Sequence, residues 1–250
     1  MFRILSLVYA IFAYVMFLAI MGYFLFFLAG GVVPITVDTP SQHSLAVAIG
    51  IDLGLILLFA VQHSVMARPA FKRVWTKIVP APLERATYVY ASNVVMIVLI
   101  LFWQGIDITL WNVQQPIVRT FLWGLYLVGF LMVPVVSLMI NHFDLFGLRQ
   151  VWLHLKDQEY RPLPFRTPLL YAIVRHPLYL AWGAAFWITP TMTAGHLLLA
   201  VGMTVYMGVA AVIEERDLVG VYGDQYRQYQ KEVPMFVPRL TGPLEPEGTS

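Results

Sequence analysis

The sequence predicts an all-α fold: a polytopic integral membrane helix bundle of about six transmembrane segments, with a C-terminal hairpin and cytoplasmic loops. Three observations predict this class. Hydrophobic residues make up 59% of the chain, charged residues only 12%, and the hydrophobic residues fall into long runs with few charges. A soluble domain usually carries about 25% charged residues. The composition therefore favours a protein embedded in membrane lipid, and a net charge of +2 gives no reason to expect nucleic acid as a partner.

Four runs in the first 140 residues have the roughly 20 apolar residues that a membrane-spanning helix needs. They cover about residues 4–30, 45–62, 86–104 and 120–140. The first is too long for a signal-peptide core of about 7–15 apolar residues, so we expect a retained anchor. The second run contains one acid, Asp52, which we expect to be packed and either hydrogen-bonded or protonated.

Two shorter apolar runs, residues 178–193 and 195–213, are predicted to form a tight hairpin. Each is only about 24–29 Å long at the helical rise of 1.5 Å per residue. The chain thus divides into an N-terminal four-helix membrane region (1–140) and a loop plus terminal hairpin that forms the candidate core (141–240). The last residues, 241–250, are polar and predicted to be disordered.

Basic residues concentrate in alternate loops, which predicts the orientation in the membrane. Of the 16 lysines and arginines, Arg119 is the one that falls in the opposite set of loops. We therefore expect both termini in the cytoplasm, with the long loop 141–176 on the same side. The chain has no cysteine, which excludes disulfides, thiolate metal sites and a cysteine nucleophile.

Polar residues at the two ends of the terminal hairpin form the strongest candidate site. Arg175, His176 and Tyr179 stand at its start, and Glu214 and Glu215 directly follow its last apolar run. Acids at a membrane boundary are costly unless hydrated or paired, so they suggest function. An interfacial salt bridge between Arg175 and one glutamate is the simpler alternative. Downstream, Tyr222, Tyr226 and Tyr229 predict an aromatic stripe on a short helix, suited to the bilayer surface or to a ligand cation.

Three motifs in order, "RHPLY", "EERDL" and "YGDQYRQYQKEVP", resemble the C-terminal signature of the isoprenylcysteine carboxyl methyltransferases and related phospholipid methyltransferases. Two further segments, "QHSVMARPAFKRVWTKIVP" and "NHFDLFGLRQVW", are similar to a narrower branch, the bacterial methanethiol S-methyltransferases. The resemblance implies a bacterial inner-membrane enzyme that uses S-adenosyl-L-methionine to methylate methanethiol to dimethyl sulfide, without a metal. It also implies that His176, Tyr179, Glu214 and Glu215 line the cofactor pocket.

Around these residues, Arg175 is expected to pair with the cofactor carboxylate and Tyr226 to belong to the same pocket. A thiol attacks as the thiolate, so a nearby histidine could remove its proton. His63 and His142 lie at the cytoplasmic ends of the second and fourth spans and are the candidate bases, or else structural histidines. A small apolar thiol could enter through membrane lipid, although a lipid or an isoprenylated thiol would also suit such a pocket.

Two other interpretations share parts of this pattern. Membrane sterol reductases carry a similar Arg-His-x-x-Tyr and Glu-Glu ending and bind NADPH. Non-catalytic membrane proteins associated with denitrification share part of the N-terminal pattern, and the histidines would then serve a haem or a partner. The glutamate pair and the tyrosine-rich ending argue against the second alternative, and no G-x-G-x-x-G motif supports a Rossmann-type nicotinamide site.

Overall fold

The structure, a computed structural model, describes residues 1–238 and is a bundle of long α-helices. Within these residues, five helical segments are long and apolar enough to cross a membrane. The chain is therefore a multi-pass membrane protein, and the predicted all-α bundle is confirmed. The long helices are α1 (Phe2–Ala29), α2 (Leu45–Ala67), α4 (Glu84–Phe102), α5 (Pro116–Ile140) and α9 (Ala194–Tyr222).

Shorter helices connect or flank the long ones. They are α3 (Pro69–Trp75), α6 (His142–Leu145), α7 (Leu148–Leu155), α8 (Pro177–Trp187) and α10 (Asp224–Glu232), with 3-10 turns at Ala81–Leu83 and Leu169–Ala172. Two strands, β1 (Thr109–Asn112) and β2 (Thr191–Thr193), pair antiparallel. We call the end of the bundle that carries these strands the cap end. The opposite end, where α8 starts and α9 finishes, is the site end.

The first half of the predicted terminal hairpin differs from expectation. The apolar run 178–193 does not form one helix, because α8 ends at Trp187 and an extended segment follows. Pro190 lacks an N–H and fixes its own backbone, and the residue before a proline avoids the helical region. At 11 residues α8 is only about 16 Å long. The helix and strand β2 together carry the chain from the site end to the cap end, so the hairpin topology is retained.

Extended backbone at this depth is tolerated where protein surrounds it. Thr189, Pro190, Met192 and Thr193 are all buried, and β2 takes its strand partners from β1. The side chain of Thr193 also donates to Asp38 Oδ1 at 2.5 Å. The cap end is therefore a packed layer of connecting segments, whereas the sequence predicts only the tight turn of a hairpin there.

The core of the bundle lies between the long helices and α8. Phe27, Leu99, Phe186 and Leu199 are almost fully buried there. α5 and α8 approach closely at Gly129, where an added Cβ would lie 2.7 Å from the Cβ of Ala184. Small residues at helix crossings allow this approach in membrane proteins. The contact fixes the position of α8, which carries part of the candidate site.

Asp52 is fully buried in α2, and its Oδ1 accepts a hydrogen bond from the Gln104 N–H at 2.8 Å. The expectation of a packed, hydrogen-bonded acid is confirmed. The division at residue 140 stays a prediction, since α8 packs on α5 and α9 on α2 within one bundle. The tail 241–250, predicted to be disordered, lies outside the described residues.

Candidate active site

The site begins where α8 starts. Pro177 occupies the first turn of α8, where its missing N–H leaves no helical hydrogen bond unmade. His176 precedes it, and its ring stacks on that of Tyr179 with centroids 5.2 Å apart. The local sequence therefore places an imidazole and a phenol side by side at the site end of the bundle, as the "RHPLY" motif predicted.

Glu214 and Glu215 meet this helix start from α9. Neighbouring residues on a helix point about 100° apart, so the two carboxylates face different partners. The Glu215 side chain is 7% exposed and accepts from Arg175 Nε at 2.6 Å and, at its other oxygen, from Gln230 Nε2 at 2.7 Å. The Glu214 side chain is 44% exposed and accepts one hydrogen bond, from the Tyr179 hydroxyl at 2.9 Å.

Arg175 is held entirely by groups of the chain itself. Besides Glu215, its guanidinium donates to the backbone carbonyls of Gln230, at 3.0 Å, and Val233. The backbone N–H of Arg175 donates to the carbonyl of Pro234 at 2.9 Å. The predicted alternative of a salt bridge between Arg175 and one glutamate is therefore present, in a buried form. Arg175 ties the segment after α10 to the start of α8.

His176 belongs to the same buried cluster. Its Nε2 lies 3.0 Å from Glu215 Oε1, and its ring contacts that of Phe236 at 5.6 Å between centroids. The backbone N–H of His176 donates to the carbonyl of Met235 at 3.2 Å. The carboxylate of Glu215 is thus shared by an arginine, a histidine and an amide. This network positions the groups around it more than it offers free atoms to a ligand.

The tyrosine stripe on α10 is packed against the protein, so Tyr226 and Tyr229 do not present an exposed aromatic face to the bilayer surface. Tyr226 and Tyr229 are buried, and their rings contact Phe165 from the long loop at 5.7 and 5.4 Å. Burial raises the pKa of the Tyr229 phenol to about 12. Its hydroxyl donates to the carbonyl of Tyr171 at 2.5 Å. The stripe therefore docks α10 and the long loop beside the glutamates.

His63 lies on α2, near its site end, and packs against side chains of α4 and α9. Its ring stacks on Phe59 at 5.1 Å and contacts Tyr88 at 5.1 Å and Tyr206 at 6.4 Å. Its Nδ1 lies 3.3 Å from Ser92 Oγ, and no hydrogen bond to Nε2 is found among residues 1–238. One ring nitrogen is therefore available at the site end.

Charged groups lie near His63 and the tyrosines that it contacts. Arg68 and Arg85 are within electrostatic range of His63, and Glu214 is within electrostatic range of Tyr88 and Tyr206. Arg85 lies over the Tyr88 ring at 5.3 Å, and Arg68 donates to Asp217 at 2.8 Å. His63 contacts Tyr88 and Tyr206, and Glu214 lies near the same two tyrosines.

His142 has a different environment. Its Nδ1 lies 2.6 Å from Ser137 Oγ and its Nε2 lies 2.7 Å from the hydroxyl of Tyr14. Burial lowers the pKa of this imidazole. Both ring nitrogens are hydrogen-bonded, and the side chain joins α1, α5 and α6.

A cavity of about 380 Å³ opens beside Glu215, with Gln230 and Arg216 as polar walls and Val212, Val219 and Met235 as apolar ones. The volume lies in the range of small-molecule sites. A role for Gln230 was not predicted from the sequence. Its side-chain Nε2 donates to Glu215, and its backbone carbonyl accepts from Arg175. Its spacing was informative, since it follows Tyr226 by four residues on the same helix face.

Comparisons with known proteins identify relatives of this chain. The family model for NnrU protein matches residues 53–240, more than half of the chain. The chain is 46% identical to methanethiol S-methyltransferase of Mycobacterium tuberculosis, covering 94% of this chain and 97% of that protein. It is 44% identical to the protein of the same name from Crocosphaera subtropica, covering 94% and 92%.

A more distant relative, nurim from Sus scrofa, is 29% identical over 71% of this chain and 70% of its own length. No solved structure matches this chain. The predicted resemblance to the bacterial methanethiol S-methyltransferases is confirmed. The chain belongs to the NnrU family, together with the bacterial proteins that carry the name methanethiol S-methyltransferase.

Proposed function

We propose that this chain is a membrane methyltransferase that methylates methanethiol to dimethyl sulfide with S-adenosyl-L-methionine as the donor. Relatives that carry the name methanethiol S-methyltransferase match it over almost its full length. The structural observation that best supports the proposal is the half-exposed Glu214 carboxylate. It accepts a hydrogen bond from Tyr179 and lies near Tyr88 and Tyr206, whose rings contact His63.

The residues present fit such a donor. Its ribose hydroxyls and its ammonium group need acceptors, and Glu214 has one carboxylate oxygen without a hydrogen bond from residues 1–238. Its positive sulfonium suits a tyrosine face, which Tyr179 and Tyr206 supply. The cavity beside Glu215 and Gln230 has the apolar walls that a nucleoside base requires. When bound, the donor supplies an electrophilic methyl group.

The protein then contributes positioning and proton transfer. Glu215, Arg175 and His176 fix the start of α8 and the segment after α10, so Glu214 and Tyr179 are pre-organised. We assign Nε2 of His63 as the acceptor for the proton of the thiol. The positive charges of Arg68 and Arg85 favour the thiolate form of a substrate held there. His142, with both nitrogens bonded, serves as a structural histidine in this proposal.

The same proposal gives a reason for the membrane fold. Methanethiol is small and apolar and can reach His63 through lipid, whereas the donor is polar and must come from water. We propose that the protein lies in the bacterial inner membrane with both termini in the cytoplasm. The site end then faces the cytosolic supply of the donor.

The proposal is tested with purified full-length protein in detergent, radiolabelled S-adenosyl-L-methionine and methanethiol. Labelled volatile dimethyl sulfide is the expected product. Glu214→Gln should weaken donor binding about tenfold or more, since a charged hydrogen bond is lost. His63→Gln should lower the turnover rate by about 10²–10⁴-fold and leave donor binding unchanged.

Two exposed residues provide matched controls. Glu159→Gln changes a loop glutamate of high exposure, and His43→Gln changes a histidine at the cap end, so both should behave like the native protein. Donor binding without product would retain the methyltransferase and discard methanethiol as the acceptor. Absence of both donor binding and product would overturn the proposal.

A further inference from the structure

A second cavity, of about 470 Å³, lies at the site end but shares no lining residue with the cavity beside Glu215. It is enclosed by α3, the start of α4, the short helices α6 and α7, and the loop after them. Its walls carry both signs of charge, with Lys72 and Arg85 on one side and Glu84 and Asp144 beside them. A volume of this size is typical of small-molecule sites.

Some of these wall groups are already neutralised within the protein. Asp144 is paired with Arg149 at 2.8 Å and also accepts from the hydroxyl of Tyr160 at 3.3 Å. Arg85 uses Nε to donate to the carbonyl of Leu145 at 2.8 Å. Among residues 1–238 no hydrogen bond is found for the two terminal nitrogens of Arg85, whose guanidinium also lies over the Tyr88 ring at 5.3 Å.

Lys72 is the other available cation. Its Nζ lies 3.7 Å from Glu84 Oε1, which is an ion pair too long for a hydrogen bond. Burial, together with the positive charges of Arg85 and Arg68, lowers the pKa of Lys72, and Glu84 offsets part of this effect. A bound anion between Lys72 and Arg85 would relieve the repulsion between these two cations. The carboxylate of Glu84 lies beside that position and would accept from a cationic group on the same ligand.

We propose that this cavity binds a small zwitterion of the α-amino-acid type, distinct from the methyl donor and acceptor. The ligand carboxylate lies between Lys72 and Arg85, and the ligand ammonium lies against Glu84. Gln150 and His154 complete the wall with further hydrogen-bonding groups. Acetate carries only the charge that matches the two cations, and methylammonium only the charge that matches Glu84. In this proposal, binding therefore requires both charges on one molecule. The same group could come from a free amino acid or from a phosphatidylserine headgroup.

The proposal is tested by ligand-induced thermal stabilisation of the full-length protein in neutral detergent, because a ligand that binds only the folded state raises the unfolding temperature. Glycine and L-serine should each raise it, whereas acetate and methylammonium at the same concentrations should not. In Lys72→Met the apparent affinity for L-serine should fall about tenfold or more. Lys77→Met removes an exposed lysine of the same segment and should respond like the native protein.

A second arm separates the two sources. If free amino acids have no effect, nanodiscs with phosphatidylserine should stabilise the native protein more than nanodiscs with phosphatidylglycerol, and Lys72→Met should abolish the difference. Stabilisation by acetate equal to that by L-serine would overturn the zwitterion. The proposal would also be overturned if Lys72→Met showed the same rise in unfolding temperature as the native protein in both arms. If Lys72→Met weakened S-adenosylhomocysteine binding as much as it weakens L-serine binding, the cavity would belong to the donor and a separate site would be overturned. Methyl transfer itself is tested independently, by the assay described under the proposed function.

Discussion

At the residue scale, the adjacent acids Glu214 and Glu215 have different physical roles because one helix step separates their directions. Glu215 is buried against Arg175, His176 and Gln230, while Glu214 is half-exposed beside Tyr179. Removing one partner of a buried ion pair leaves an unpaired charge in a low-dielectric environment, which costs far more than losing an exposed one. Substitution should therefore separate the structural glutamate from the ligand-binding one.

We expect Glu215→Gln to lower the free energy of unfolding by about 3 kcal/mol, because Arg175 keeps its charge and loses its counterion. Glu214→Gln should change it by no more than about 0.5 kcal/mol, while weakening donor binding. Denaturation in detergent, followed by tryptophan fluorescence, measures the first effect and a binding titration the second. Equal losses of stability in the two variants would contradict this division of roles.

His142 predicts a pH dependence of stability. Its pKa is lowered by burial, so folding favours the neutral imidazole between Ser137 and Tyr14. The stabilisation is complete above the ordinary histidine value near 6.5 and is lost as the pH falls through the lowered value. Between pH 7.5 and 5 the native protein should therefore lose more stability than His142→Gln does. Identical pH slopes in unfolding experiments on the two proteins would show that His142 is not the responsible group.

At the element scale, one side chain links the end of α10 and the segment after it to the start of α8. Arg175 reaches Glu215 with two nitrogens and also donates to backbone carbonyls at the end of α10. A planar guanidinium makes these contacts simultaneously, whereas a lysine ammonium cannot direct the same set of hydrogen bonds. The position of α10 therefore depends on an arginine that is distant in sequence.

We predict that Arg175→Lys increases amide hydrogen exchange in residues 224–238 at least about tenfold, which corresponds to about 1.4 kcal/mol of lost local stability. Exchange in α1 and α4 should stay unchanged. Arg227→Lys is the matched control, because within the described part of the chain Arg227 on α10 pairs only with the exposed Asp224. If both variants exchange alike, the anchoring of α10 by Arg175 is refuted.

The crossing of α5 and α8 offers a second prediction at this scale. A Cβ at Gly129 would lie 2.7 Å from the Cβ of Ala184, whereas a Cβ at Gly124 on the same helix meets nothing within 4 Å. Gly129→Ala should destabilise the protein by about 1–3 kcal/mol through overpacking. Gly124→Ala should be neutral or stabilise it slightly, because alanine favours the helix. Thermal unfolding of both variants measures the difference, and a stabilised Gly129→Ala would contradict the close crossing.

At the scale of the whole molecule, hydropathy predicted the long helices well, because each must bury its backbone hydrogen bonds within itself. The charged ends of the terminal hairpin were likewise predicted to meet, since a hairpin returns its ends to one face. The extended segment around Pro190 could not be read from hydropathy. Its polar backbone is satisfied by β1, which is distant in sequence. Non-local pairing also explains the missed role of Gln230 and the buried tyrosines of α10.

The orientation of the whole bundle is the remaining physical prediction. The excess of lysine and arginine at the site end predicts that this end faces the cytoplasm. Because the chain contains no cysteine, single cysteines can report accessibility without a background. Lys77→Cys and Gln228→Cys mark the site end, and Gln42→Cys and Gln114→Cys mark the cap end, all at exposed positions.

A membrane-impermeant maleimide added to intact bacterial spheroplasts should label the two cap-end cysteines and spare the two site-end cysteines until the membrane is permeabilised. The reverse pattern would place the site end outside the cell, away from the proposed cytosolic donor, and would contradict the proposed orientation. Labelling of Gln228→Cys together with both cap-end cysteines would instead contradict the crossing by α8 and its extended segment, because Gln228 follows that crossing in the chain whereas Lys77 precedes it. The experiment therefore tests the crossing through Pro190 together with the direction of the bundle.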